Sequence, residues 1–283
     1  MNKQQWIVAG SGLLLLFCLF VFGRTTPPAK GDQVAVTQSN EAEHTHLETE
    51  TVLNKAKTGL STDQAARMTT LENSISRGDL VTQKILLYGQ LARYWKDSVG
   101  AAEPYLWYTG EKAKLEKSEK NLNFAAHSYL EELRGVSDPS VKTWMAIQAK
   151  ELYTESLALN PGNDSAKVGY GSTFFFGAGE GGAPMEGIMK IREVAERDPE
   201  NMFAQFMLGY GSLISGQLDK AAERFLTVAQ KTPENTEAVF LLAETYERLG
   251  EKENAIKWYK QGITRVKNPE LIQAVEEKIK SLQ

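Results

Sequence analysis

Residues 202–235 read MFAQFMLGYGSLISGQLDKAAERFLTVAQKTPEN, and the phrase that closes them recurs. Lys231-Thr232-Pro233-Glu234-Asn235 ends this stretch, Arg197-Asp198-Pro199-Glu200-Asn201 stands just before it, and Leu159-Asn160-Pro161-Gly162-Asn163 lies further back. Pro199 and Pro233 are 34 residues apart, and Pro161 and Pro199 are 38 apart. A fixed period of this size marks a stacked array of supersecondary units. Within the stretch, Leu208-Gly209 sits midway along a first helical pattern. Ser215-Gly216-Gln217 makes a turn, and Ala221, Phe225 and Val228 line a second helix. Small residues midway along one helix and early in the next let two helices approach closely, while large apolar residues fill the gaps.

The following 34 residues repeat the design with Leu242-Ala243, Tyr246, the turn Leu249-Gly250-Glu251, then Ala255, Tyr259 and Gly262. This pattern resembles the tetratricopeptide-repeat family, and it is clearest over 202–235 and 236–269. The resemblance implies an all-α, right-handed superhelical solenoid of helical hairpins. It also implies that the first helix of each hairpin lines a concave surface along which ligands lie. Degenerate repeats extend the frame back over about 85–201. Tyr170-Gly171, Phe174, Gly187, Ile191 and Val194 fit one hairpin, whose four extra residues fall in the Gly-rich turn. Leu122, Ala125-Ala126, Tyr129, Ala149 and Tyr153 fit another, with an insertion of about eleven residues that includes Val136-Ser137-Asp138-Pro139. Tyr88, Leu91-Ala92 and Trp95 fit a first helix whose partner, near Pro104 to Leu115, matches poorly. Thr62–Ser76 and residues 269–282 are expected to cap the two ends of the repeat domain, 61–283, because a stack needs polar outer faces.

The N-terminal region differs in kind. Trp6–Gly23 is an uncharged run of 18 residues, about 27 Å long as a helix and near the lower limit for crossing a bilayer. Residues 1–24 are read as a transmembrane anchor, with a cleaved signal peptide as the rival. Lipidation at Cys18 is disfavoured because Phe17 stands where a small residue is needed. A short N-terminal tail favours a single-pass protein of a bacterial inner membrane, with the repeats in the periplasm, although Lys3, Arg24 and Lys30 leave the charge bias nearly balanced. Residues 25–60, opening with Pro27-Pro28 and lacking aromatic residues, are read as a flexible linker.

Chemistry finds little to hold. The chain has 283 residues and a formal net charge of -4, so no basic field points to nucleic acid. Its one cysteine, Cys18, lies in the apolar run, leaving no disulfide, thiol nucleophile or thiolate metal site in the repeats. His44 and His46 lack a third ligand nearby. The stretch Gly177 to Gly187 lacks the lysine-hydroxyl ending of a phosphate loop and follows a helix, not a strand. His127 stands alone, and the adjacent pairs Glu131-Glu132 and Glu276-Glu277 diverge on a helix. No catalytic residue, metal or cofactor is expected.

The expected site is therefore a groove for a partner polypeptide. Outward positions of the first helices give Phe175, Phe176, Phe203, Phe206, Tyr210, Leu213 and Ile214, followed by Phe240, Glu244, Glu247 and Arg248. Relatives that grip a terminal carboxylate use Lys and Asn at such positions. Phe206, Tyr210 and Ile214 occupy them here, so the expected ligand is an apolar segment, extended or helical. The competing arrangement is that the chain itself fills this stripe. The function expected is a non-catalytic, membrane-anchored scaffold at the cell envelope. The alternative is an ancillary chaperone or assembly factor for exported or membrane proteins, resembling the repeat factors of cytochrome c maturation.

Overall fold

The asparagines of the recurring phrases are helix caps. The Asn163 side chain accepts the Ala166 N–H at 2.9 Å, Asn201 that of Ala204 at 3.0 Å, and Asn235 that of Ala238 at 2.9 Å. Each satisfies one backbone donor that a helix start would otherwise leave bare. The proline two positions earlier cannot continue the preceding helix. Each phrase thus ends one helix and starts the next.

The computed structural model describes residues 47–77, 80–177 and 184–283. Thirteen α-helices are found there and no strand. They are α1 (Thr49–Lys57), α2 (Thr62–Arg77), α3 (Val81–Arg93), α4 (Ala102–Glu116), α5 (Glu119–Leu133), α6 (Pro139–Leu159), α7 (Asp164–Thr173), α8 (Pro184–Arg197), α9 (Met202–Ile214), α10 (Leu218–Lys231), α11 (Thr236–Arg248), α12 (Lys252–Ile263) and α13 (Pro269–Leu282). Five hairpins pair α3 with α4, α5 with α6, α7 with α8, α9 with α10 and α11 with α12, each stacking on its neighbours. α3 runs on as a wider π-helical turn, Tyr94–Val99, and α7 as a short 3-10 turn, Phe174–Phe176.

Missing Cβ atoms set the hairpin spacing. A Cβ on Gly209 would lie 2.9 Å from the Phe225 ring, and one on Gly187 would lie 2.2 Å from the Gly171 carbonyl oxygen. α9 and α10, and likewise α7 and α8, therefore approach as closely as the small residues foretold. Gly216 and Gly250 take positive φ of 75° and 79° and end α9 and α11, a conformation that costs glycine little. The core follows from these contacts. Phe225, Val228, Ala221 and Leu242 are buried along the C-terminal hairpins, and Leu122, Tyr129, Met145 and Tyr153 along the second.

Two features depart from expectation. The insertion in the second hairpin lengthens α6 to 21 residues, with Asp138 as its cap and Pro139 in its first turn; it does not make a long loop. Residues 49–57, within the expected linker, are helical as α1. Val52 and Leu53 are buried, and the Trp144 indole N–H donates to the Thr49 hydroxyl at 3.0 Å. At the other end, Glu247 of α11 accepts from the Tyr259 hydroxyl and from Lys278 of α13, at 2.9 and 2.7 Å, fixing the last helix to the stack. No described helix is long and apolar enough to cross a membrane. The apolar run Trp6–Gly23, His44, His46 and the middle of the Gly-rich turn lie outside the described residues.

Candidate interaction surface

The inner face of the stack is built from α3, α5, α7, α9 and α11. Part of the expected groove on it is closed by the chain itself. Phe206 is only 4 % exposed; its ring lies 5.8 Å from Phe225 on the partner helix α10, and the Arg134 guanidinium sits 5.9 Å from its centroid. Phe203 meets the His127 ring edge-on at 5.4 Å. Tyr210 packs against Phe176 at 5.5 Å, and Phe176 and Leu213 are buried. Phe175 fills the space that a Cβ on Gly211 would take, 2.8 Å from its ring. Phe240 lies over Gly262 of α12, where a Cβ would come within 2.6 Å, so it faces its own hairpin partner. Phe176, Phe206 and Leu213 are therefore core residues and leave the expected groove, whereas Phe175, Phe203, Tyr210 and Phe240 are half-buried and keep part of their surface open. Ile214, 51 % exposed, and the exposed Glu244 and Arg248 remain on the surface.

The reason is curvature. α5 of the second hairpin reaches α9 of the fourth through His127 and Phe203. The turn after α5 reaches α11 of the fifth, where Arg134 Nε lies 3.0 Å from Glu237. The expected stripe shares one helical phase, but the stack curls until opposing first helices meet over it.

Charge along this contact is arranged in pairs. His127 Nε2 is 3.5 Å from Glu131. Burial holds the His127 pKa below its ordinary value, with Arg134 lowering it further and Glu131 pulling the other way. Burial raises the Tyr153 phenol, helped by Glu131 and opposed by Arg134, so it stays neutral. The Tyr210 phenol is raised chiefly by burial. Both phenols stay neutral, since a phenol so raised is a poor proton source near neutrality. Among the described residues, no cluster of three or more His, Cys, Asp or Glu side chains is placed to hold a metal ion.

An open part of the inner face lies toward the N-terminal hairpins. A cleft of about 490 Å³ runs between the start of α4 and α5, lined by Lys96, Tyr105, Phe124, Ser128, Glu131 and Glu132 among others. The Phe124 ring is 60 % exposed on its wall. The Lys96 ammonium lies 5.0 Å from the Tyr105 centroid, a cation–π distance. The sequence held a signal for this site that the groove reading passed over. With Leu122, Ala125-Ala126 and Tyr129 on the core side of α5, Phe124 is an aromatic residue off the core phase.

Residues 206–268 match the family described as tetratricopeptide repeat. No curated protein matches the chain. Among solved structures, a thermophilic tetratricopeptide-repeat protein of Thermus thermophilus is 14% identical over 72% of this chain and 98% of its own, with a TM-score of 0.51. YrrB, a tetratricopeptide-repeat protein with an unusual peptide-binding site, is 17% identical over 73% and 97%, at a TM-score of 0.40. The Thermus likeness is one of fold. Residues 206–268 thus carry the tetratricopeptide repeat, and the chain shares the helical-hairpin fold of the Thermus protein.

Proposed function

We propose that this chain is a non-catalytic scaffold that holds a partner polypeptide in the inner-face cleft between α4 and α5, and that residues 6–23 tether it to a bacterial inner membrane with the repeats in the periplasm. One observation carries the binding site: Phe124, 60 % exposed, stands on the wall of a cleft of about 490 Å³ that also offers Tyr105 and charges of both signs. A large exposed aromatic inside a concavity is the kind of group that anchors a partner chain. Glu131, Glu132 and Lys96 around it supply polar contacts at the rim. The tether rests on the apolar run of 18 residues, which charge alone cannot hold to a membrane.

The test is a pull-down from detergent-solubilised membranes with the wild-type chain and with Phe124→Glu. One stoichiometric partner, lost in the variant while its circular dichroism and Tm stay unchanged, is the expected result. Retention of that partner by a folded Phe124→Glu chain sinks the cleft assignment. Capture of many unfolded clients instead favours the assembly-factor reading. The tether is tested separately: the chain should stay with membranes after a high-salt wash, and a mature N-terminus beginning at Arg24 would overturn it.

A further inference from the structure

Four buried side-chain polar atoms among the described residues have no hydrogen-bond partner within the protein: Trp95 Nε1, Asn123 Oδ1, His127 Nδ1 and the Tyr153 hydroxyl. Buried polar groups are rarely left so, and each one asks for an explanation. Helix register draws three of the four together. Asn123 and His127 are one turn apart on α5, so they share a face. α5 and α7 are the first helices of successive hairpins and run parallel. The Asn123 amide reaches Ser165 of α7 at 3.5 Å, which fixes their register. His127, four residues after Asn123, is therefore level with Gly169, four after Ser165. Gly169 is where the Tyr153 ring ends: a Cβ there would lie 2.1 Å from Tyr153 Cζ and 2.4 Å from its hydroxyl oxygen. The glycine leaves room for a phenol that arrives from α6 and makes no hydrogen bond on arrival.

We propose that Asn123, His127 and Tyr153 form a polar notch in the inner face that takes a neutral carboxamide, the side-chain end of an asparagine or glutamine on the bound polypeptide. The chemistry of the three groups selects this ligand. The Glu131 carboxylate lies 3.5 Å from His127 Nε2; we assign the neutral ring's proton to that nitrogen, which makes Nδ1 a bare acceptor. Asn123 Oδ1 is a second acceptor, since its amide nitrogen is turned to Ser165. The Tyr153 O–H is a donor. Two acceptors and one donor match the two N–H groups and one carbonyl of a primary amide. Arg134 and Glu131 both act electrostatically on His127 and on Tyr153. The first disfavours a cation in the notch and the second an anion. A site built to hydrogen-bond a buried group rejects analogues that lack the matching donors, because its own groups then stay unpaired. Glu131 also lines the cleft that holds Phe124, so notch and cleft share a wall. The asparagine or glutamine assignment rests on the polypeptide-binding reading; the carboxamide chemistry does not.

The experiment uses the full-length chain labelled with 15N-histidine, with the His127 signals assigned by His127→Gln. Acetamide is titrated as the probe, and N,N-dimethylacetamide, methylammonium and acetate serve as controls. Acetamide should shift the His127 Nδ1 resonance saturably, with a Kd on the order of millimolar for so small a probe. Binding should weaken tenfold or more for each control and in Tyr153→Phe. Tyr153→Phe should fold with a Tm equal to or above the wild type, since it removes a hydroxyl that has no protein partner. An unsaturable shift, or equal shifts for acetamide and dimethylacetamide, overturns the proposal. So does a clear loss of Tm in Tyr153→Phe without probe binding, which means an ordered water alone pairs these atoms. Failure of the acetamide titration leaves the Phe124 pull-down result standing, and failure of the pull-down leaves the titration standing.

Discussion

Arg134, on the turn after α5, holds Glu237 on the first turn of α11 at 3.0 Å, joining the second hairpin to the fifth across the inner face. Both side chains keep contact with water, so the pair should couple by about 0.2–1 kcal/mol in a double-mutant cycle. Arg134 also lies over Phe206, so Arg134→Ala should cost more than Glu237→Ala. Urea unfolding of the two single variants and the double variant measures both quantities. Strict additivity would show that the inner face does not close in solution.

Phe206 joins Leu208 in the core, where helical phase alone assigns only Leu208. Phe206 is 4 % exposed and stacked near Phe225, and Leu208 is 8 % exposed. Phe206→Ala should therefore destabilise by about 3–5 kcal/mol, as deep aromatic truncations do. Tyr210→Ala should cost less, because Tyr210 is only partly buried. Thermal unfolding of the two variants decides; a Phe206→Ala chain as stable as wild type would restore the open groove.

Gly187 and Gly89 make a matched pair. A Cβ at Gly187 meets the Gly171 backbone carbonyl at 2.2 Å, whereas one at Gly89 meets only the flexible tail of Lys112 at 3.4 Å. Alanine is the better helix former by about 1 kcal/mol. Gly89→Ala should therefore be neutral or stabilising by up to about 1 kcal/mol. Gly187→Ala should destabilise by about 1–3 kcal/mol, because helix backbones must separate. Equal Tm values for the two would refute the close approach of α7 and α8.

His127 makes stability depend on pH with a definite sign. Its folded pKa lies below the ordinary 6.5, mainly through burial, so the unfolded chain binds the proton more readily. The groups facing it are Glu131 and Arg134 on its own side and Phe203 on α9. Stability from this residue is complete above about pH 6.5 and is lost as pH falls through the folded value. Tm should drop between about pH 7.5 and about pH 5 by more in the wild type than in His127→Gln. An identical drop in the two assigns the pH effect to other groups.

The hairpins were legible because their signals are local. Pro199 and Pro233 announce the period, Gly209 and Ala243 announce the close approach, and Asn201 and Asn235 start helices by capping them. The inner face was not legible, because its closure sums small rotations over several hairpins. No 34-residue window contains Arg134 and Glu237 together. α1 was hidden for a related reason. Nine residues make a marginal helix alone, and this one is held by Trp144, which follows Thr49 by 95 positions. Tyr153 and Gly169 belong to different hairpins, so the notch they share with His127 has no signature in either.

α1 has a mechanical consequence. It lies against α4 and donates Val52 to the core of the second hairpin, with Thr49 bonded to Trp144 of α6. A pull arriving from the N-terminal side of residue 47 therefore reaches the stack at α4 and α6 before it reaches α2 or α3. The load falls on a buried side chain and a hydrogen bond, and is shared between the first two hairpins instead of peeling the stack from α2 one helix at a time.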